Sequence, residues 1–255
     1  MQFVDTHCHI HFDYYSLPIE QVIQSARDDG VTKMICVGCT FEDSKSGIEF
    51  IANHDNIWAS IGIHPHEADK YVGNQSKLDE FAALVTAPKV VAVGECGLDY
   101  YYNHSDQQAQ KEILRFQIKL AKKHDLPMIF HVRDAHDDFF EVLDEFEGIR
   151  GVVHSFSAGI KELTGVIDRG LFVGLNGIMT FTKDSAQLAA AKLVPLDKMV
   201  LETDAPYLTP KPFRGTMCEP KHVVETARFL AELRGESLEE LSKQTTANAE
   251  RLFGI

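Results

Sequence analysis

Eight short apolar runs rich in valine and isoleucine recur along the sequence, and they alternate with stretches of helical periodicity. Runs of this length and composition are typical of strands that are buried on both faces, as in a parallel sheet. The predicted strands are residues 3–6, 34–37, 57–61, 90–93, 128–130, 151–153, 171–174 and 199–201.

Helices are predicted between these strands, at residues 19–29, 44–54, 76–86 and 105–124, with further helices in 219–255. Ser76, Ser105 and Ser237 each stand three residues before an acidic or amide side chain, which is the spacing of a capping box. Eight strand–helix units in about 250 residues is the size of a (β/α)8 barrel. We therefore expect an α/β protein with one TIM-barrel domain over residues 1–255. The alternative, an open doubly wound sheet, would need a glycine-rich phosphate turn after the first strand, and the sequence has none there.

Composition limits the classes of function. The formal net charge of −13 disfavours a broad electrostatic surface for nucleic acid, but it leaves room for a small site in which metal cations supply positive charge. Five cysteines, an odd number, make a disulfide framework improbable, so reduced thiols and a cytoplasmic location are expected. No apolar run is long enough to predict a membrane-spanning helix or a signal peptide.

Six of the eight predicted strands are followed within three residues by histidine, glutamate or aspartate, and in a barrel these strand ends meet at one rim. Several charged groups at a buried rim are costly unless something compensates them, and a metal ion does so by accepting their lone pairs. The candidate ligands are His7, His9, Glu95, His131, His154 and Asp204. Apart from His64 and His66, the remaining histidines are interpreted as exposed loop or surface residues: His11, His54, His104, His124, His136 and His222.

Two metal ions explain this set better than one, because six ligands exceed the three protein ligands of an ordinary catalytic zinc site. His7 and His9 lie at alternate positions of an extended strand, so their side chains point the same way. With Asp204 they would hold one ion, since the eighth strand closes beside the first. Two more histidines on neighbouring strands, His131 and His154, would hold the other.

Glu95 is the predicted bridge between the two ions, in the arrangement in which a carboxylate joins cations about 3.5–4 Å apart. A water between such ions loses a proton near neutral pH and becomes the nucleophile. Asp204 is placed to orient that water or take its proton. His64 is the best remaining acid or phosphate ligand. The catalytic residues predicted from the sequence are therefore Asp204, Glu95 and His64.

With these residues in place, the sequence resembles the TatD family of metal-dependent hydrolases. The matching stretches are FVDTHCHI, GIHPHEA, VVAVGECGLDY, LPMIFHVRDAH, GVVHSFS and VLETDAPYLTP, followed by FRG and EP. The resemblance implies a TIM barrel, two divalent metals and phosphodiester hydrolysis, typically as a deoxyribonuclease and often as a 3′-exonuclease. It also implies the ligand roles given above, and for His64 a catalytic or phosphate-contacting role. Cys218 departs from the family pattern, which has asparagine there, and the run Tyr100-Tyr101-Tyr102 lengthens the aromatic segment after GLD.

Aromatic and basic side chains in the predicted rim loops are candidates for stacking bases and holding phosphates. The substrate contacts predicted are His64, Tyr100, Arg133, Phe156, Tyr207 and Arg214. Single-stranded DNA or a frayed end, and also RNA, suits the acidic chain better than long duplex DNA. A metal hydrolase for a small ester, amide or lactone, or for an aminoacyl-tRNA ester, remains an alternative, as does a barrel with structural metals. The identity of the two ions is left open among Zn, Mn, Fe and Mg.

Overall fold

The computed structural model describes residues 1–255, in which eight strands form one sheet in the order β1 to β8. Parallel pairing is seen for β1 with β2, β3 with β4, β4 with β5, β5 with β6, and β7 with β8. The strands are β1 (Phe3–Cys8), β2 (Val31–Val37), β3 (Ile57–Ile61), β4 (Val90–Asp99), β5 (Met128–Arg133), β6 (Gly151–Val153), β7 (Phe172–Leu175) and β8 (Met199–Leu201).

A helix follows every strand, which gives the alternating order expected of a (β/α)8 barrel. A further parallel bridge joins Cys8 at the end of β1 to Ala205 beyond β8, so the first and last strands are neighbours. The helices are α1 (Ile19–Asp28), α2 (Phe41–Ile51), α3 (Gln75–Ala83), α4 (Gln107–Lys123), α5 (His136–Asp144), α6 (Ile160–Asp168), α7 (Ser185–Leu193), α8 (Val223–Arg234) and α9 (Leu238–Phe253).

The chain packs as two compact units, one of Met1–Cys36 with His154–Ile255 and one of Val37–Val153. Each unit has its own buried apolar side chains. In the second unit, Phe130 of β5 meets Phe139 of α5 edge to face, with ring centroids 5.1 Å apart. Burying one such ring stabilises the fold by roughly 1.5–3 kcal/mol. No helix of the structure is both long enough and apolar enough to cross a bilayer.

All eight strands were predicted, but several are longer than their apolar runs. β4 continues six residues beyond the predicted end, from Val93 to Asp99, and β1 continues to Cys8. Two predicted caps are wrong, because α4 is capped by Asp106 and α3 by Asn74 rather than by the neighbouring serines. The third is confirmed, since the Ser237 side chain accepts the N–H of Glu240.

Candidate metal centre

The end of β1 and the loop after β8 bring three ligand-type side chains together in the first unit. His7 Nε2 lies 3.1 Å from His9 Nε2, and these two nitrogens lie 3.5 and 3.3 Å from Asp204 Oδ1. Both imidazoles are buried. Two ring nitrogens so close to each other and to a carboxylate oxygen present converging lone pairs, which is the donor set that a divalent cation takes.

A buried aspartate holds this cluster in place. Asp5 of β1 accepts hydrogen bonds from the N–H and the hydroxyl of Thr203, at 2.9 and 2.6 Å, and from the N–H of His7 at 3.3 Å. Burial raises the pKa of Asp5 well above its usual value, although these three bonds oppose the shift. Asp5 thus joins β1 to the segment after β8 and fixes where His7 and Asp204 stand.

The backbone at Asp204 is left-handed, with φ of 61°, which is uncommon for a residue other than glycine. Its N–H donates to the carbonyl of His7 at 2.8 Å, so the turn is anchored to β1. Burial acts to raise the pKa of the Asp204 carboxyl, but the hydrogen bond from His9 and the charges of nearby histidines outweigh it, and the pKa is lowered. Asp204 is therefore an anion at neutral pH.

His154 and Glu202 extend the cluster of the first unit. The His154 ring stacks on His7, with centroids 3.9 Å apart. Ligand atoms of His7, His154 and Glu202 all lie within 4.8 Å of one another. Glu202 is fully buried; its Oε1 accepts the N–H of Ser155 at 2.5 Å, whereas Oε2 has no hydrogen-bond partner. A Cβ on Gly174 would stand 2.3 Å from that Oε2, so glycine is the residue that fits there.

The second unit carries its own cluster around Glu95. His131 Nδ1 lies 2.8 Å and His64 Nε2 lies 3.5 Å from Glu95 Oε1, and ligand atoms of the three residues fall within 4.8 Å of one another. Cys39 donates its thiol to the other oxygen at 3.5 Å. The pairing of β4 with β5 shifts register between Val93 and Cys96, and such a bulge re-aims the side chain within it.

Asp99, at the end of β4, orients two of the histidines. Its Oδ2 lies 2.9 Å from His131 Nε2 and 3.0 Å from His66 Nε2, and its Oδ1 accepts the N–H of Tyr102 at 2.9 Å. Burial acts to raise the pKa of this carboxyl, but its bonds to His131 and to Tyr102 N–H prevail and hold it well below the usual range. With Nε2 bonded to Asp99, His131 presents Nδ1 towards Glu95, as a histidine ligand backed by a carboxylate does.

Burial lowers the pKa of His64 to about 4, although the Glu95 carboxylate opposes the shift. His64 is therefore neutral at pH 7. In that state it offers a hydrogen bond rather than a positive charge to a phosphate.

The sequence missed Asp5, Asp99, Glu202 and Cys39. Asp99 had a usable signal. Once β4 is extended past Val93, Gly97 and Asp99 stand two residues apart and face the same side of the strand. The surface interpretation of two histidines is wrong. His11 and His222 are both buried, and the His222 ring stacks on Phe213 with centroids 4.9 Å apart.

The predicted substrate contacts differ in exposure. Tyr207 and Arg133 are exposed, and the Tyr207 ring meets His9 edge-on at 6.4 Å. Phe156 is buried. Tyr100 donates its hydroxyl to Asp138 at 2.6 Å, and Arg214 lies 3.9 Å from the centroid of Phe181 while donating to the carbonyl of Thr209.

Imidazoles and carboxylates at the carboxyl ends of parallel strands, with eight strand–helix units in chain order, define the class of barrel metal-dependent hydrolases. The chain belongs to the TatD related DNase family, whose model matches residues 4–254.

Relatives support this assignment along the whole chain. The metal-dependent hydrolase YabD of Bacillus subtilis is 36% identical over 253 residues, which cover 98% of each chain. The protein named 3′-5′ ssDNA/RNA exonuclease TatD from Citrobacter rodentium is 32% identical over 243 residues, 92% of each. The crystal structure of YjjV, a TatD homologue from Escherichia coli K12, has a TM-score of 0.92 at 31% identity and covers 99% of this chain and 98% of its own. The expected TIM-barrel fold is thereby confirmed.

Proposed function

We propose that the protein is a two-metal phosphodiesterase that removes nucleotides from the 3′ end of single-stranded or frayed DNA and of RNA. The observation that carries this proposal is the grouping of imidazole and carboxylate ligand atoms within 4.8 Å of one another in each of the two units. Support for the substrate class comes from the family, and from the relative whose name describes a 3′-5′ exonuclease on single-stranded DNA and RNA.

In this proposal His7, His9 and Asp204 would hold one ion, His131 and His154 would hold the other, and Glu95 would bind both. Both sets of ligands come from the carboxyl ends of strands in one parallel sheet, which is where barrel enzymes carry their chemistry. Mixed imidazole and carboxylate ligands suit Zn, Mn or Fe, and suit Mg less well.

The bound ions would supply a water activated near neutral pH and would neutralise charge on the phosphoryl group. The protein does the positioning. Asp204, an anion at neutral pH, accepts a hydrogen bond from the attacking water and so orients it. His64, neutral at the same pH, donates a hydrogen bond to a phosphoryl oxygen or to the leaving group. Asp99 keeps the Nδ1 lone pair of His131 directed at the site.

Among the predicted substrate contacts, we assign direct contact to His64, Arg133 and Tyr207. Tyr100, Phe156 and Arg214 shape the site instead, because each is buried or committed to protein partners. A chain with a net charge of −13 repels long duplex DNA, so a short unpaired end is the favoured substrate.

The test is to incubate metal-free protein with Mg²⁺, Mn²⁺ or Zn²⁺ and a single-stranded oligonucleotide labelled at its 5′ end. A ladder of progressively shorter labelled products is expected, and it should vanish in Glu95→Ala and Asp204→Asn. The variant Arg27→Gln, a charge change at an exposed position of α1, is the matched control and should digest like the wild type. No digestion with any of the metals, together with turnover of small esters or amides, would contradict the proposal.

A further inference from the structure

Exposed aromatic side chains are confined to a few loops of the protein. Five of the eight large hydrophobic side chains exposed to solvent are aromatic: Tyr14, Tyr101, Tyr102, Tyr207 and Phe213. Every one of them stands in a loop that follows the carboxyl end of a strand, after β1, β4 or β8. These are the ends that carry the ligand clusters. Aromatic surface that is costly to leave in water is therefore concentrated in loops that follow the ligand-bearing strands.

In the loop after β4, the Arg133 side chain contacts two of these rings, Tyr101 and Tyr102. The Arg133 guanidinium carbon lies 4.2 Å from the centroid of Tyr101 and 4.7 Å from that of Tyr102. The two rings meet edge to face, with centroids 4.9 Å apart, and His104 stacks on Tyr102. Arg133 covers one face of Tyr101. Because Tyr101 remains 59% exposed, part of its ring is left accessible to a planar ligand.

Arg133 has no acidic partner, although the chain has 38 acidic and 25 basic residues. Its guanidinium makes no hydrogen bond or ion pair within the protein, and only the two tyrosines hold it. Its backbone is fixed, since it pairs with Asp99 in the sheet and its carbonyl accepts the N–H of Tyr100 at 3.0 Å. An ordered guanidinium with free donors is suited to an anionic oxygen such as a phosphate.

The group adjoins the ligand cluster of the same unit. The Tyr102 ring meets His66 edge-on at 5.6 Å, and His66 in turn meets His64 at 4.3 Å. His64 stands 3.5 Å from Glu95. The tyrosines are therefore linked to the cluster by a continuous series of ring contacts through His66 and His64.

We propose that Tyr101, Tyr102 and Arg133 form a subsite for one unpaired nucleotide of a nucleic-acid strand, whose base stacks on Tyr101 and whose phosphate is bound by Arg133. This inference rests on the proposed function and identifies residues that bind the substrate strand. Stacking on a side chain needs a base face that is free of its helical neighbours, so the subsite selects single strands and frayed ends over intact duplex. The subsite should accept any of the bases, because every base has a π-face that can stack on tyrosine.

The decisive measurement is the KM for a labelled single-stranded oligonucleotide, compared with the KM for bis(p-nitrophenyl) phosphate, a diester without a base. Tyr101→Ala is expected to raise the oligonucleotide KM about 5- to 150-fold, the size of one lost stacking contact. The change for the small diester should be much smaller, and Tyr101→Trp should restore the oligonucleotide KM. Equal changes for both substrates, or no rescue by tryptophan, would overturn the subsite.

Salt dependence tests the phosphate contact. A non-hydrolysable phosphorothioate strand is titrated into the metal-loaded protein at several salt concentrations. Arg133→Gln should reduce the slope of log affinity against log salt by about 0.7, the value for one contact on a single strand. Arg27→Gln removes the same charge from α1 and should leave the slope unchanged. An unaltered slope in Arg133→Gln, or an equal change in both variants, would refute the phosphate contact.

These measurements separate the two proposals. Digestion of the strand with a KM indifferent to Tyr101 refutes the subsite and keeps the nuclease. Tyr101-dependent binding of the phosphorothioate strand without digestion of the normal strand keeps the subsite and refutes the nuclease.

Discussion

Replacing Asp99 with asparagine should weaken metal binding through His131 without touching a proposed ligand. The buried carboxylate oxygen Oδ2 accepts from His131 Nε2 at 2.9 Å and from His66 Nε2 at 3.0 Å. An amide oriented to keep the bond from Tyr102 N–H turns its NH2 group towards both rings. His131 then has to accept at Nε2, which moves its proton to Nδ1, the atom that faces Glu95.

The expected loss follows from that change of tautomer. Removing a carboxylate behind a ligating histidine costs about 10- to 100-fold in metal affinity, or about 1.4–2.7 kcal/mol. Titration calorimetry of Zn²⁺ or Mn²⁺ into metal-free protein measures it. The matched control is Asp138→Asn, a carboxylate of the same unit that accepts from Tyr100 and pairs with Lys111. Affinity within twofold of the wild type, or an equal loss in the control, would refute the reasoning.

Three further changes test other parts of the account. In metal-free protein the pKa of His64 is lowered to about 4, so between about pH 6.5 and 4 the unfolded chain binds a proton at this residue and the folded chain does not. The free energy of unfolding should therefore fall by about 3 kcal/mol as the pH drops through this range. A urea-unfolding profile against pH that is no flatter in His64→Gln would contradict this. Gly97→Ala places a Cβ 1.9 Å from the carbonyl oxygen of His131 at a φ of +149°, and should lower the free energy of unfolding by about 3 kcal/mol or more. The control Gly73→Ala, whose surroundings are open, should lower it by about 1 kcal/mol. Equal shifts in the unfolding midpoint would show that the close approach is unimportant. Glu202→Gln should lower metal affinity about tenfold with little change in the unfolding midpoint of the metal-free protein. A lower unfolding midpoint with unchanged metal affinity would show that the role of Glu202 is purely structural.

The fold could be predicted because each strand is an uninterrupted apolar run, and such runs report burial on both faces. The ends of strands were harder to place. Beyond Val93, β4 continues as GECGLD, in which glycine, glutamate and aspartate interrupt the apolar run, so the sequence did not predict that the strand extends to Asp99. The same holds for caps, where Asp106 is preferred to Ser105 because the serine hydroxyl bonds to the carbonyl of His66 at 2.8 Å instead.

Ligand types at strand ends could be predicted because their position along the chain determines their place at one rim. The partners that hold them could not. Asp5 bonds to Thr203, which lies 198 residues away in sequence, and no local pattern reports such a pairing. The His222 ring likewise stacks on Phe213, a contact that the sequence does not report, and for this reason the sequence predicts a surface position for His222.

The central claim is that these strand ends hold a pair of divalent cations joined by Glu95. Diffraction from a Mn²⁺-loaded crystal at the manganese absorption edge tests it most directly. The account predicts two anomalous peaks about 3.5–4 Å apart, with the Glu95 carboxylate between them. A single peak, or two peaks with Glu95 bound to neither, would contradict it.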